Sequence, residues 1–244
     1  MKEGEKHEGD VLEQLGHRGE RPLSLLDQIE GGTFDLELAS WLISRVSRGD
    51  SFFIGAIPGS AGKTTTVRAL LGFAPGDVPY VIALPNKLAG IDGQRCCFVS
   101  HELSDHKVPN YLWGRDLRDY FALSAHGHML AANMHADELD QVHEQICGRN
   151  DVPEEHFRAV NIFAFIRVDK EADPIERVVD KVFYSDGTGP HKSIFTLEGG
   201  MSANRPRDEE NEKRCRAFLE ESLSGSARTV DEVRRLFLEW EKTA

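Results

Sequence analysis

Long hydrophobic runs are missing from this sequence of 244 residues. No stretch nears the roughly 20 apolar residues that a membrane-spanning helix needs. The charged opening, MKEGEKHEGD, lacks the apolar core of a signal peptide and reads as a disordered tail. Cysteine is scarce. Cys96, Cys97, Cys147 and Cys215 show neither disulfide nor metal spacing, and the adjacent pair sits in an apolar run where thiols act as small hydrophobes. Blocks of basic charge are also absent. Against 29 Lys and Arg stand 41 Asp and Glu, a net charge of −12. That balance argues against nucleic acid as a partner and against direct binding to anionic lipid. These absences point to a cytoplasmic chain. Its length suits one α/β domain with an appendage, or two small domains.

What is present is a phosphate-binding pattern. Ser51 to Leu71 reads SFFIGAIPGSAGKTTTVRALL: a short apolar strand, a loop of small residues, then a helix. Gly59, Ser60, Ala61 and Gly62 allow backbone N–H groups to close round a phosphate. The following helix aims its positive dipole end at the same place. Lys63 can reach β- and γ-phosphate oxygens, the Thr64 hydroxyl can sit on Mg²⁺, and Thr65 belongs to the same cradle. The pattern G-x-x-x-x-G-K-[ST] asks for glycine where this chain has Ile57, so a bend shifted to Gly55 is expected. The competing reading is a plain strand–turn–helix with an incidental lysine.

Periodicity supplies the surroundings. Short helices are expected at residues 23–29 and from Asp35, the second with an apolar face through Leu36, Leu38, Ala39, Leu42, Ile43 and Val46 and with Trp41 at its edge. Residues 80–84, 96–100 and 129–134 read as buried parallel strands. Residues 117–125 and 137–147 read as helices. From Val160 the period changes, and three strands with turns at 172–174 and 187–190 predict an antiparallel unit beside the core. Two helices close the chain, the second opened by a capping box of Thr229 and Glu232. The expected organisation is a tail (1–21), a core with its meander (22–200) and a C-terminal helical appendage (205–244).

Several segments in order resemble the ATPases that power type II and type IV secretion, type IV pili and archaeal flagella. LSLLDQIEGGTFDLELASWL is similar to the leader before their P-loop, GAIPGSAGKTTTVRALLGFAP to the P-loop itself, and YFALSAHGHMLAANMHADELDQVHEQICG to their histidine-bearing segment. The resemblance spans roughly residues 22–200. It implies an α/β, RecA-like P-loop NTPase core with a mainly parallel sheet, an antiparallel β meander and C-terminal helices. It implies ATP and Mg²⁺ as ligands, a homo-oligomer (a hexamer in the family), and a membrane platform protein of a secretion or pilus system as partner. The departures are an absent acidic box after residue 84, a short segment in which Arg95 is the only arginine after Arg68, and an inserted stretch near 106–115.

Glu102 takes the place of the family's Walker B glutamate, on a strand expected next to the P-loop strand, where it would orient an attacking water. The bland reading is a surface glutamate in a loop. His128 and His135 match the family's two histidines and would meet the γ-phosphate end; the bland reading is a helix cap or a packing residue. A metal site of His126, His128 and His135 is a third reading. Arg115, Arg118 and Arg167 are candidates for trans contacts or simply surface residues, and Asp116 and Asp119 for a displaced acidic motif or a helix start. Three functions follow: an ATP-driven motor, a non-hydrolysing nucleotide-binding relative acting as switch or structural subunit, and a small P-loop kinase.

Overall fold

In chain order, helices α1 (Leu25–Glu30) and α2 (Leu36–Val46) precede strand β1 (Phe52–Gly55) and helix α3 (Lys63–Leu71). Next come β2 (Tyr80–Ile82), β3 (Cys97–Leu103), β4 (Tyr111–Leu112), α4 (Arg115–Ala122), β5 (Met129–Met134), α5 (Leu139–His143) and α6 (Glu154–Arg158). The chain ends with β6 (Ile162–Asp169), β7 (Glu176–Tyr184), β8 (Lys192–Thr196), β9 (Gly200–Met201), α7 (Glu209–Leu223) and α8 (Val230–Glu241). A computed structural model describes residues 11–16, 21–88 and 93–243. Local chemistry sets several starts. Ser24 and Asp27 form a capping box on α1, Asp35 accepts from the Leu38 N–H at α2, and Thr229 and Glu232 form the expected box on α8.

The strands lie in the order β2-β3-β5-β1-β6-β7-β8-β9, with β4 paired to the C-terminal end of β3. From β2 to β6 the main order is parallel, and from β6 to β9 it is antiparallel. This is the expected α/β class: a mostly parallel sheet with antiparallel strands and C-terminal helices. The meander is not a unit beside the core, however. β6 pairs with β1 on one edge and β7 on the other, so a single sheet runs through both.

Strand alternation sends successive side chains to opposite faces, and each face has its own core. Phe52, Ile54, Val99 and Ala131 point to one, which α1, α2, α3, α7 and α8 cover. Phe53, Phe98, Leu130 and Phe163 point to the other, packed with Leu117, Tyr120 and Phe121 of α4, Val142 of α5 and Phe157 of α6. Strands buried on both faces read as continuous apolar runs, which is why β1 and β5 stood out in the sequence.

Other boundaries moved. β3 runs past Ser100 to Leu103, because β4 pairs with Glu102 and Leu103. β2 stops at Ile82. The expected tail also ends sooner: Val11, Leu12 and Leu15 are buried in the first core, while residues 1–10 and 17–20 lie outside the described residues. Trp41 is fully buried, with its indole N–H donating to the Pro206 carbonyl.

The C-terminal helices are built into the core. Phe237 of α8 meets Phe73 at 5.0 Å and Phe218 at 5.2 Å between ring centroids. Arg234 donates to the carbonyls of Leu71, Gly72 and Ala74, which neutralises the C-terminal end of α3. Phe237→Ala should therefore cost about 3–5 kcal/mol, measured by urea denaturation; a loosely attached appendage would lose far less. His191 provides a pH test. Its ring lies 4.9 Å from Phe163, and its Nε2 is 2.7 Å from the Val160 carbonyl. Burial holds its pKa at about 4. The unfolded chain binds this proton near pH 6.5 and the folded chain does not, so stability falls as pH drops through that window, by roughly 3 kcal/mol. His191→Phe should flatten that part of the stability–pH profile.

Candidate functional site

β1 delivers the chain to the loop at Gly55. A Cβ there would lie 2.6 Å from the Ala136 carbonyl and 2.7 Å from the Phe165 ring, so Gly55 serves close packing and does not make the bend. The bend falls later, at Ser60 (φ 66°) and Gly62 (φ 94°). Gly62 stands at the N-cap of α3 with left-handed backbone, which glycine takes without steric cost. Ile57 needs no positive φ, and its side chain is half exposed. That explains why the loop closes without the expected glycine. Asp137 holds this part of the loop by accepting from the Ile57 N–H at 2.6 Å.

Lys63, the first residue of α3, is 7% exposed. Its ammonium donates to the Ala56 carbonyl at 3.1 Å and lies 3.6 Å from Glu102 Oε1. Burial lowers the Lys63 pKa, and Glu102 opposes that shift. Glu102 is equally buried, and its Oε1 is 3.5 Å from His135 Nε2. That oxygen has no hydrogen-bond partner. The Lys63 ammonium and the His135 ring face this oxygen from just outside hydrogen-bonding geometry, which offsets the cost of burying it.

The sequence placed the Glu102 strand beside the P-loop strand. In the structure β5 lies between them. Asn133, on β5, spans the gap. Its Nδ2 donates to Thr64 Oγ1 at 3.0 Å and to the His101 carbonyl at 2.9 Å. Opposite it the register of β3 slips: Ser100 faces Ala132 and Leu103 faces Met134. This bulge at residues 101–102 re-aims the strand end and brings Glu102 across to Lys63. Asn133 was missed by sequence reasoning. Its one signal was a polar residue inside the apolar run MLAANM.

Gly59, Ser60, Ala61, Gly62, Lys63, Thr64, Thr65, Glu102 and His135 all line one cavity of about 630 Å³, within the ordinary range for a small-molecule site. Leu15, Tyr111 and Arg177 also line it, and none of these three was expected from sequence. Arg177 Nε donates to the Ser60 carbonyl at 3.1 Å. His128 does not join the group. It precedes β5 while His135 follows it, and the intervening strand separates them by roughly 17 Å or more. His128 Nδ1 accepts from the Cys96 N–H and its ring meets Phe98. The same separation rules out an ion shared by His126, His128 and His135. Arg115 pairs with Asp119, Arg118 donates to the Asn150 carbonyl, Arg167 faces Asp180, and Asp116 accepts from the Asn86 N–H. None of these lines the cavity.

The donor set suits a phosphate with a hard cation. The left-handed turn and the start of α3 form an amide cradle, Lys63 supplies a positive charge, and Thr64 and Glu102 offer oxygen ligands of the kind Mg²⁺ prefers. The buried Oδ1 of Asn133 is also without a partner.

No protein-family model matches this chain, and no curated protein matches it either. Among solved structures, it is similar to the VirB11 ATPase from the Brucella suis type IV secretion system, determined in complex with sulphate. The two share 17% identity over 66% of this chain, with a TM-score of 0.44. The match spans 55% of the length of that ATPase. A likeness of this size assigns no residue a role. Among the described residues, no helix is long and apolar enough to cross a membrane.

The Asn133 bridge is testable. Asn133→Leu keeps the bulk but removes the N–H groups shared by Thr64 and the His101 carbonyl. It should cost about 1–3 kcal/mol, the penalty for leaving buried polar groups unpaired, measured by chemical denaturation. An unchanged midpoint would mean that the bridge is dispensable.

Proposed function

We propose that this chain binds ATP with Mg²⁺ at residues 59–65 and hydrolyses it. The observation that carries the reading is the meeting, in one cavity, of the amide cradle at the start of α3, the buried Lys63 ammonium and a Glu102 oxygen without a hydrogen-bond partner. Lys63 exchanges the Ala56 carbonyl for β- and γ-phosphate oxygens. Thr64, whose hydroxyl Asn133 keeps in place, would hold the metal. The cation would supply charge neutralisation on the phosphates. Glu102 accepts a hydrogen bond from the attacking water and orients it in line with the γ-phosphorus. His135 borders Glu102 at 3.5 Å and would donate to the γ-phosphate.

The segments that resemble secretion and pilus ATPases support a further step. Turnover would drive assembly or transport from the cytoplasm, in a homo-oligomer that meets a membrane platform protein. Among the described residues Arg177 is the one arginine lining the cavity, and it is tied to the loop itself. A neighbouring subunit would therefore supply any second arginine, and turnover should rise with oligomerisation.

The decisive experiment measures ATP binding and turnover on one size-fractionated sample. Saturation at a hundredfold over Kd should stabilise the chain by about 2.7 kcal/mol. Lys63→Ala should abolish that stabilisation. Glu102→Gln should keep it and lose about 10²-fold or more of turnover. Stabilisation of the wild type with no turnover in any oligomeric fraction would assign the alternative role, a nucleotide-bound switch or structural subunit. Absence of both would end the reading.

A further inference from the structure

On the face of the sheet covered by α4 to α6, a second group of side chains converges outside the nucleotide cavity. α5 does not end in a regular turn. It passes into a π-helical turn, Glu144–Gly148, a feature that recurs at functional positions because it shifts side chains out of the ordinary helical register. His143 directly precedes this turn, Cys147 lies within it, and Glu154 opens α6. His143 Nε2 is 2.5 Å from Glu154 Oε1, and the imidazole stands edge-on against Phe157 at 5.2 Å, which fixes its plane. The ligating atoms of His143, Cys147 and Glu154 all lie within 4.8 Å of one another.

We infer that His143, Cys147 and Glu154 bind a borderline-soft divalent cation, Zn²⁺ by preference, and that the ion ties the end of α5 to α6. One imidazole, one thiolate and one carboxylate form a mixed N, S, O set, which suits Zn²⁺ and its stand-in Co²⁺ and is poor for Mg²⁺ or Ca²⁺. Around tetrahedral zinc at 2.0–2.3 Å, neighbouring ligand atoms sit about 3.3–3.8 Å apart, so His143 Nε2 and Glu154 Oε1 open from 2.5 Å while the longer separations, up to 4.8 Å, close, and side-chain rotation supplies both. Glu154 and a Cys147 thiolate together balance a 2+ charge. Without a cation Glu154 is shared between His143 and Arg158, whose Nε lies 3.9 Å from its second oxygen. A thiol ligates only after losing its proton, so binding releases a proton. His143 and Glu154 are about half exposed, which leaves an entry path and room for water as the fourth ligand.

Co²⁺ titration of the nucleotide-free full chain tests this directly. The wild type should develop a thiolate-to-cobalt charge-transfer band that excess Zn²⁺ removes. Cys147→Ser should lose the band, and His143→Ala and Glu154→Gln should each weaken apparent affinity about tenfold or more. Zn²⁺ should raise the melting temperature of the wild type and not of Cys147→Ser, whose melting without metal confirms that it folds. Cys96, Cys97 and Cys215 are buried, so a band that persists in Cys147→Ser would overturn the assignment. So would the absence of any band in the wild type at a large excess of metal.

Discussion

A buried ammonium cannot stand alone, and much of this structure is arranged around that fact. Lys63 sits almost out of solvent with one carbonyl and one carboxylate for company. Isolating either charge in the interior would cost several kcal/mol. The pair is held from two directions. Helix α3 places Lys63 at its first residue. β3, two strands away from β1, reaches it with Glu102 by means of a bulge and the bridging amide of Asn133. On the function proposed above, an arriving phosphate would take over the ammonium and release the carboxylate to meet a cation or a water.

The support for this pair extends far from it. α3 carries Lys63 and Thr64 at one end, and at the other its last carbonyls are capped by Arg234 from α8. Thr66 donates to Gln28 on α1 at 2.7 Å. Gly55 lets β1 approach Ala136 and Phe165 so closely that any side chain would collide. The C-terminal helices therefore help to fix the helix that carries Lys63 and Thr64, although they lie on one face of the sheet and do not line the cavity. The second group, at His143, Cys147 and Glu154, lies on the opposite face, where α5 and α6 pack, and is separate from it.

Much of the fold was legible. β1, β5 and α3 have the bounds that the apolar runs and the loop composition implied, because strands covered on both faces and a helix opened by Gly62-Lys63 leave unmistakable local patterns. The antiparallel ribbon was legible from its turns. Its union with the parallel sheet was not, since nothing in the sequence of β6 states that both of its edges are used. Buried Val11, Leu12 and Leu15 were hidden by the charged residues around them. Gly55 was read as a bend because a glycine near a loop favours that reading, when its role is steric.

The sequence by itself determined the loop of small residues and the lysine and threonine at the helix start that follows it. That chemistry is local, and its parts lie within a few residues of one another. Tertiary structure alone decided which distant groups join the cradle. It brought in Glu102 and His135, left His128 at the other end of β5, added Arg177 and Tyr111, and made Asn133 the bridge. Strand order and register set these choices. They follow from packing across the whole sheet, which no short window of sequence contains.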